Sequence, residues 1–206
     1  CSAMCNFTGS TVPLERNTSK MDLEANSIKS VVTDFMQKAS QSLLQLTGAK
    51  GYRLDHIAGR SVVDSRPFQI FEGSNDILYQ QISESVMKMM RRVKSSNLYD
   101  FLSDFELTVK SSDYFKEVLN FEIDTKMPQR KLVDLGKALG RIISMEFTIN
   151  LGEQGFNKEL VDNAVKTLQD EVNSIMCLFK HGGEASVVED YQIESSWFNL
   201  QTVHAQ

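Results

Sequence analysis

One acidic side chain, Glu72, stands where the sequence predicts the beginning of a helix, and it could remove a proton there. It belongs to the segment Ile70–Ile77, which reads Ile-Phe-Glu-Gly-Ser-Asn-Asp-Ile. Ser74 can cap a helix by accepting a hydrogen bond from a first-turn amide, and Asp76 in that turn suits the positive end of the helix dipole. Glu72 would then lie beside free backbone N–H groups that can polarise a carbonyl. Proton removal next to a thioester carbonyl requires this pairing.

Two segments with helical periodicity flank this motif, and a long stretch without periodicity precedes it. Apolar residues recur at helical spacing from Leu23 to Leu46, where Gly48 offers a stop, and again from Leu78 to Val93. Residues 47–73 show no sustained period, which predicts an irregular loop. Loops of this length inside a compact domain are usually functional.

After residue 95 the pattern resets and predicts four more helices. A short one covers Leu98–Phe105, a second follows Ser112, a third lies between Pro128 and Gly152, and a fourth carries the apolar residues from Leu160 to Leu178. No segment shows a convincing strand pattern, so the predicted class is all-α. In the third helix, two glycines four residues apart would let a neighbouring helix approach closely: Gly136 and Gly140.

Composition and charge narrow the function classes. The chain has 206 residues, a formal net charge of -5, and no apolar run of the length that crosses a bilayer. Residues 1–94 carry +3 and residues 95–206 carry -8. The acidic second part argues against nucleic acid and against an electrostatic hold on anionic lipid. The three cysteines and three histidines are too scattered for a disulfide framework or a metal site, which favours reduced thiols in the cytoplasm or the mitochondrial matrix.

Three motifs in one order resemble the C-terminal helical domain of acyl-CoA dehydrogenases. Gln45–Tyr52 is similar to the family's Gln-x-x-Gly-Gly-x-Gly-Tyr turn. Arg60 and Asp64–Arg66 occupy the places of its Arg and Arg-Asp-x-Arg/Lys stretch. Gln69–Ile77 closely tracks Gln-Ile-Tyr-Glu-Gly-Thr-x-Glu-Ile. The resemblance covers roughly residues 21–94, and it implies an up-and-down helical bundle and an FAD-dependent oxidoreductase that desaturates acyl-CoA thioesters.

The resemblance also implies roles for individual residues near the acidic motif. Glu72 matches the base that removes the α-proton of the acyl-CoA while FAD takes hydride from the β-carbon. The amide N–H of the same residue matches a group that holds the thioester oxygen. Gly73 matches a position along the substrate, and Ser74 and Asp76 match positions that contact FAD near its adenosine half.

A second set of implied contacts concerns oligomerisation. Gln45, Gly48 and Ala49 match a turn that reaches the FAD of a neighbouring subunit, so the resemblance implies a homodimer or homotetramer. It further implies an acceptor of the electron-transfer-flavoprotein type. Ala49 departs from the family's second glycine in this turn, and Val63 stands where the family usually has arginine.

These observations predict two parts. Residues 1–94 would form an acyl-CoA dehydrogenase C-terminal-like helical domain, incomplete at its N-terminus, and residues 95–206 a helical C-terminal extension. A similar extension in the very-long-chain branch serves membrane association and dimer contact, and the acidity of this one argues against the membrane role. Since the family's other domains hold much of the flavin, the 206 residues alone are expected to be inactive. The alternative is a non-catalytic helical module for oligomerisation or protein interaction.

Overall fold

A computed structural model describes residues 22–53, 55–124 and 126–181, and most of these residues are helical. In these ranges the one ladder contact is an isolated bridge between Asn97 and Glu122, so the predicted all-α class is confirmed. The helices are α1 (Asp22–Thr47), α2 (Ile57–Ser65), α3 (Asn75–Val93), α4 (Leu98–Asp104), α5 (Lys116–Leu119), α6 (Gln129–Glu153) and α7 (Lys158–His181). Three short 3-10 turns cover Gly48–Tyr52, Arg66–Gln69 and Ser112–Phe115.

The four long helices α1, α3, α6 and α7 form a bundle with α6 at its centre. Helix α6 packs against each of the other three. Thirteen of its 25 residues are buried, on every side of the helix between Leu135 and Phe147, as expected of a helix surrounded by others. Helices α3 and α7 each bury one mainly apolar stripe instead. The buried positions of α1 are mostly polar, with Ser27, Ser30, Gln37 and Ser40 beside Leu23 and Val31.

One hydrophobic core joins residues from both predicted parts of the chain. Val31 and Ile82 from the first part lie in the same buried cluster as Ile142 and Val172 from the second. The division at residues 94 and 95 remains a prediction. The shared core nevertheless brings α6 into contact with α3, where the acidic motif ends, and α7 into contact with α6.

The two glycines of α6 allow the close helix contact that their spacing predicts. A Cβ at position 136 would overlap the backbone carbonyl oxygen of Tyr79 on α3. A Cβ at position 140 would lie 3.2 Å from a methyl group of Val31 and 3.4 Å from the ring of Tyr79. Glycine is therefore required at position 136 because backbone meets backbone there.

The prediction of an irregular loop over residues 47–73 is wrong in its middle, where α2 forms. His56 caps this helix, its Nδ1 accepting a hydrogen bond from the amide of Ala58 at 3.2 Å. The helix buries only Ala58 and Ser65, so it has no apolar stripe to detect. Gly59 lies so close to the turn before it that a Cβ would come 2.5 Å from the carbonyl oxygen of Gly51.

The helix predicted after Ser112 is also shorter than its apolar spacing indicates. A 3-10 turn covers Ser112–Phe115, and α5 adds only four residues before the chain leaves the helix at Asn120. None of the described helices has the length and apolar character needed to cross a membrane. Cys177 is a free, exposed thiol, whereas Cys1 and Cys5 lie outside the described residues.

Candidate functional site

Glu72 lies on an exposed turn immediately before α3. Its φ is 58° and that of Gly73 is 98°, so two consecutive residues adopt the left-handed backbone conformation. This conformation suits glycine but costs free energy for a glutamate, and such strain persists only where surrounding contacts impose it. Strained residues concentrate at functional sites, so the turn at Glu72 is a candidate functional site.

Ser74 is the N-cap residue of α3 as predicted, with extended backbone angles (φ -62°, ψ 149°). The predicted side-chain hydrogen bond to a first-turn amide is wrong, since the Ser74 hydroxyl makes no capping bond. Asp76 follows in the first turn, and its exposed carboxylate lies 3.5 Å from the ammonium group of Lys137 on α6. The helix N-terminus beside Glu72 therefore carries one acidic residue, as the dipole favours.

Lys29 of α1 holds the turn from the inner side. Its Nζ donates a 2.8 Å hydrogen bond to the carbonyl oxygen of Gly73 and a 2.9 Å bond to Oδ1 of Asn75. Burial lowers the pKa of Lys29, while the negative charges of Glu72 and Asp34 act in the opposite direction. The strained turn is thus fixed by a cation within electrostatic reach of the Glu72 carboxylate.

Asp34 of α1 anchors the segment on both sides of Glu72. Its Oδ1 accepts hydrogen bonds from Gln69 Nε2 at 2.8 Å and from Asn75 Nδ2 at 2.7 Å. Asn75 is buried and also donates to Ser30 O and to Thr33 Oγ1. Residues 69 and 75 are therefore tied to one carboxylate oxygen, three positions before and three positions after Glu72.

The other oxygen of Asp34 joins a buried polar network. Oδ2 accepts a 2.6 Å hydrogen bond from the Tyr79 hydroxyl and lies 3.8 Å from Nη2 of Arg141. The Arg141 side chain is only 6% exposed, and its Nε donates to Glu171 at 2.6 Å. Lys38 pairs with the same carboxylate of Glu171 at 2.6 Å. The network therefore links α1, α3, α6 and α7.

Burial and charge shift the pKa values of this network in different directions. Burial raises the pKa of Tyr79 well above its ordinary value. Burial alone would lower the pKa of Arg141, but its interactions with Tyr79 and Glu171 outweigh this effect and raise it. Burial would likewise raise the pKa of Glu171, but the hydrogen bonds from Lys38 and Arg141 lower it.

The lowered pKa of Glu171 predicts a loss of stability in acid. Between the folded and unfolded pKa values the unfolded chain binds the proton more readily, so the stabilisation is complete above the ordinary value of 4.5 and disappears as pH falls through the folded value. Urea unfolding of wild type and Glu171→Gln at neutral pH and in acid measures this contribution. We expect a shallower pH dependence for Glu171→Gln, and parallel pH profiles would contradict the expectation.

The turn predicted to reach a second FAD lies at the far end of α1. Gln45, Gly48 and Ala49 are all exposed, and Gly48 has a φ of 65° with open space where a Cβ would stand. Gln45 is eleven residues beyond Asp34, which places it about 16 Å along the helix axis at 1.5 Å per residue. The structure therefore separates this turn from Ser74 and Asp76.

The arginine and aspartate residues of the middle motif have different surroundings. Arg66 Nη1 donates to Gln69 Oε1 at 2.7 Å, and Gln69 in turn contacts Asp34, so Arg66 supports the anchored segment. Arg60 and Asp64 are exposed on α2.

Exposed apolar side chains concentrate around the same motifs. Nine of the fifteen large apolar side chains that are exposed in the described residues lie between Leu43 and Ile77. Leu46 is 86% exposed and Tyr52 is 81% exposed. We call this set the exposed apolar segment: Leu43, Leu46, Tyr52, Ile57, Val63, Phe68, Ile70, Phe71 and Ile77.

Sequence comparison assigns the same region to a family. Residues 3–87 match the family model described as acyl-CoA dehydrogenase, C-terminal domain, and this part of the chain belongs to that family. The match begins before the range 21–94 over which the motifs were recognised, and it contains the exposed turn, the acidic motif and Lys29. No curated protein and no solved structure matches the chain. The matched domain is one found in an oxidoreductase family.

Proposed function

We propose that this chain is the C-terminal part of an FAD-dependent acyl-CoA dehydrogenase in which Glu72 removes the α-proton of an acyl-CoA thioester. The observation that carries the proposal is the geometry of Glu72. Its carboxylate is exposed on a turn with left-handed backbone, two residues before the N-cap of α3. Hydrogen bonds from Lys29 and to Asp34 fix this turn, so the chain maintains an accessible carboxylate on a strained backbone turn beside a helix N-terminus.

The residues of this chain have defined tasks in the proposed reaction. Glu72 accepts the proton from the α-carbon, and the bond electrons form the α,β double bond as hydride leaves the β-carbon. FAD, when bound, supplies the acceptor for that hydride. The amide of Glu72 polarises the thioester oxygen, which acidifies the α-proton. Gly73 leaves room for the acyl group because it has no side chain beside the carboxylate.

Two separate sets of residues on this chain are suited to contact FAD. Gly48 exposes its backbone where a Cβ would meet nothing within 4 Å, and its neighbours Gln45 and Ala49 are exposed too, so a large ligand can approach this turn. Ser74 has a hydroxyl that makes no capping bond, and Asp76 is exposed beside it. In this proposal the two sets contact two different FAD molecules, as the family resemblance implies, and the protein is a homodimer or homotetramer.

Anaerobic reduction of the flavin tests this proposal. The complete enzyme that contains this chain, loaded with FAD, is mixed with a saturated acyl-CoA in the absence of oxygen. We expect loss of the absorbance of oxidised flavin together with formation of one 2-enoyl-CoA per flavin. Unchanged flavin absorbance across short, medium and long acyl chains would contradict the proposal.

The isolated chain of 206 residues should neither bind FAD tightly nor catalyse. The residues that this chain offers to FAD are exposed and form two incomplete sets, so most of the ligand would remain in water. Isothermal titration of the chain with FAD measures this directly. Stoichiometric binding at micromolar concentration, or turnover of an acyl-CoA, would contradict the prediction.

A second candidate function is a non-catalytic oligomerisation module, which the exposed apolar segment favours. Contiguous apolar patches on soluble proteins commonly mark interaction sites. We expect the chain to self-associate, and Leu46→Glu combined with Tyr52→Glu to reduce that association, because a buried charge is costly at such a contact. Leu178→Glu is the matched control, since Leu178 is 70% exposed on α7, outside the segment.

Sedimentation velocity of the three proteins separates the outcomes. Dissociation by the paired substitutions but not by Leu178→Glu locates the contact in the exposed apolar segment. Association unchanged in both variants would contradict a role for this segment. Activity of the complete enzyme decides between the two functions, because the oligomerisation module alone requires no contribution from Glu72.

A further inference from the structure

We propose that Asp34 is a positioning residue for the segment that carries Glu72, and that Tyr79 and Arg141 orient its carboxylate. The consequence for catalysis rests on the function proposed above. The anchoring itself is a property of the described residues and is tested separately. The proposal gives the second part of the chain a role at the candidate site, because Arg141 belongs to that part.

The first step concerns the two attachment points. Gln69 and Asn75 donate to the same oxygen of Asp34 at 2.8 Å and 2.7 Å. The segment between them is short, so fixing both ends to one atom removes most of its freedom to move. Ile70 and Phe71 complete the anchored end, since their amides both donate to the carbonyl oxygen of Pro67 at 2.9 Å.

The second step concerns the orientation of the carboxylate. A carboxylate that is bonded through one oxygen can still rotate, whereas one bonded through both oxygens cannot. Tyr79 holds the second oxygen at 2.6 Å, and Arg141 lies 3.8 Å from it. Arg141 is itself held by Glu171 on α7. The direction of Asp34 Oδ1, and with it the place of the anchored segment, therefore depends on residues of α3, α6 and α7.

The third step connects the anchor to Glu72. The turn at Glu72 and Gly73 has left-handed backbone and would relax without restraint. Lys29 restrains it through Gly73 O and Asn75 Oδ1, and Asn75 is itself held by Asp34. Loss of Asp34 therefore removes one partner of Gln69 and one of Asn75 together. A displacement of about 1 Å in a catalytic group can cost roughly 100-fold in rate.

Hydrogen exchange of the full chain, read by mass spectrometry, tests the anchoring without any activity. The reporters are the hydrogen-bonded amides of Ile70, Phe71 and Leu78. In Asp34→Ala we expect their exchange to accelerate about tenfold, with little change in α7. The control is Val172→Ala, which truncates a fully buried residue of α7 and should not accelerate these amides selectively.

Two conservative variants keep the test sharp if Asp34→Ala does not fold. Asp34→Asn retains one acceptor oxygen for Gln69 and Asn75 but loses the oxygen that Tyr79 and Arg141 hold, so it should accelerate the exchange of the reporters less than Asp34→Ala does. Tyr79→Phe removes only the hydroxyl that holds Oδ2, so it should accelerate their exchange several-fold. Wild-type exchange in Asp34→Ala and Tyr79→Phe, or an equal acceleration throughout the chain, would overturn the proposal.

Kinetics of the complete, FAD-loaded enzyme test the catalytic consequence. We expect Asp34→Ala to lower kcat by about 10- to 100-fold with little change in KM, and Asp34→Asn to restore most of it, because the base is displaced while the substrate still binds. If Glu72→Gln retains activity, the proposed function fails. If Glu72→Gln is inactive but Asp34→Ala keeps the wild-type kcat, the positioning role alone fails.

Discussion

Substituting Gly136 by alanine should destabilise the protein by about 3 kcal/mol, within the range for overpacked cores. The added methyl group would overlap the carbonyl oxygen of Tyr79 on α3, and a backbone group cannot rotate away as a side chain can. Helix α6 would have to separate from α3 along a buried contact of the bundle. The gain in helix propensity, about 1 kcal/mol for alanine over glycine, offsets only part of this cost.

Gly140→Ala is the matched control for this prediction. It adds the same methyl group one turn further along α6, where the nearest neighbours are side-chain atoms of Val31 and Tyr79 at 3.2 Å and 3.4 Å. These side chains can shift by a few tenths of an ångström, so the propensity gain should nearly compensate. Urea unfolding measures both variants. Similar losses for the two variants would show that the α3–α6 backbone contact is not the cause.

Replacing Glu72 by glutamine in the complete enzyme should lower kcat by about 1,000-fold, the middle of the range for general-base catalysis. Glutamine has nearly the same shape but cannot accept the α-proton. The side chain is exposed, so the unfolding free energy should stay within about 0.5 kcal/mol of wild type. A large loss of stability would instead indicate that the turn at residue 72 serves the fold.

Glu84→Gln provides the control for this substitution. Glu84 is an exposed carboxylate on α3 that accepts a hydrogen bond from Gln80. The Glu84→Gln substitution alters the net charge of the protein by the same amount as Glu72→Gln. We expect kcat and KM of this variant to match wild type, so a loss of activity confined to Glu72→Gln would identify the position rather than the charge.

Helices α3, α6 and α7 were predictable because each buries apolar residues at regular spacing. The period from Leu23 to Leu46 predicts α1, whose observed bounds are Asp22–Thr47. The two glycines of α6 likewise indicated a close helix contact, because a residue without a side chain lets two helix backbones approach each other. Helix α2 was missed because a helix that buries only Ala58 and Ser65 leaves no apolar period in the sequence.

The polar anchors of the candidate site were missed for a different reason. Lys29, Asp34 and Asn75 function through contacts between helices that are distant in sequence, and a local sequence pattern does not identify the partners in such contacts. One local pattern did indicate that Asp34 has a partner. Asp34 continues the stripe of Leu23, Ser27, Ser30 and Gln37 at spacings of three and four residues, and this stripe is the buried face of α1. Polar residues on a buried stripe require partners, so they could have been identified as members of a network.

The same limit applies to Ser74. Its residue type and its place before α3 correctly predicted the N-cap position, but the hydroxyl does not bond to the first turn. Residue type predicts where a helix begins, whereas the direction of a small side chain depends on the turn before it. Here that turn is the left-handed one at Glu72 and Gly73.

Removal of the α-proton by Glu72 is tested most directly by deuterium exchange into a substrate analogue. An acyl-CoA in which sulfur replaces the β-carbon can lose its α-proton but has no hydride to transfer. The complete enzyme is incubated with this analogue in D2O, and deuterium at the α-carbon is followed by mass spectrometry. We predict rapid incorporation with wild type and Glu84→Gln, and incorporation slowed about 1,000-fold with Glu72→Gln. Incorporation at the wild-type rate in Glu72→Gln would contradict the assignment of Glu72 as the base.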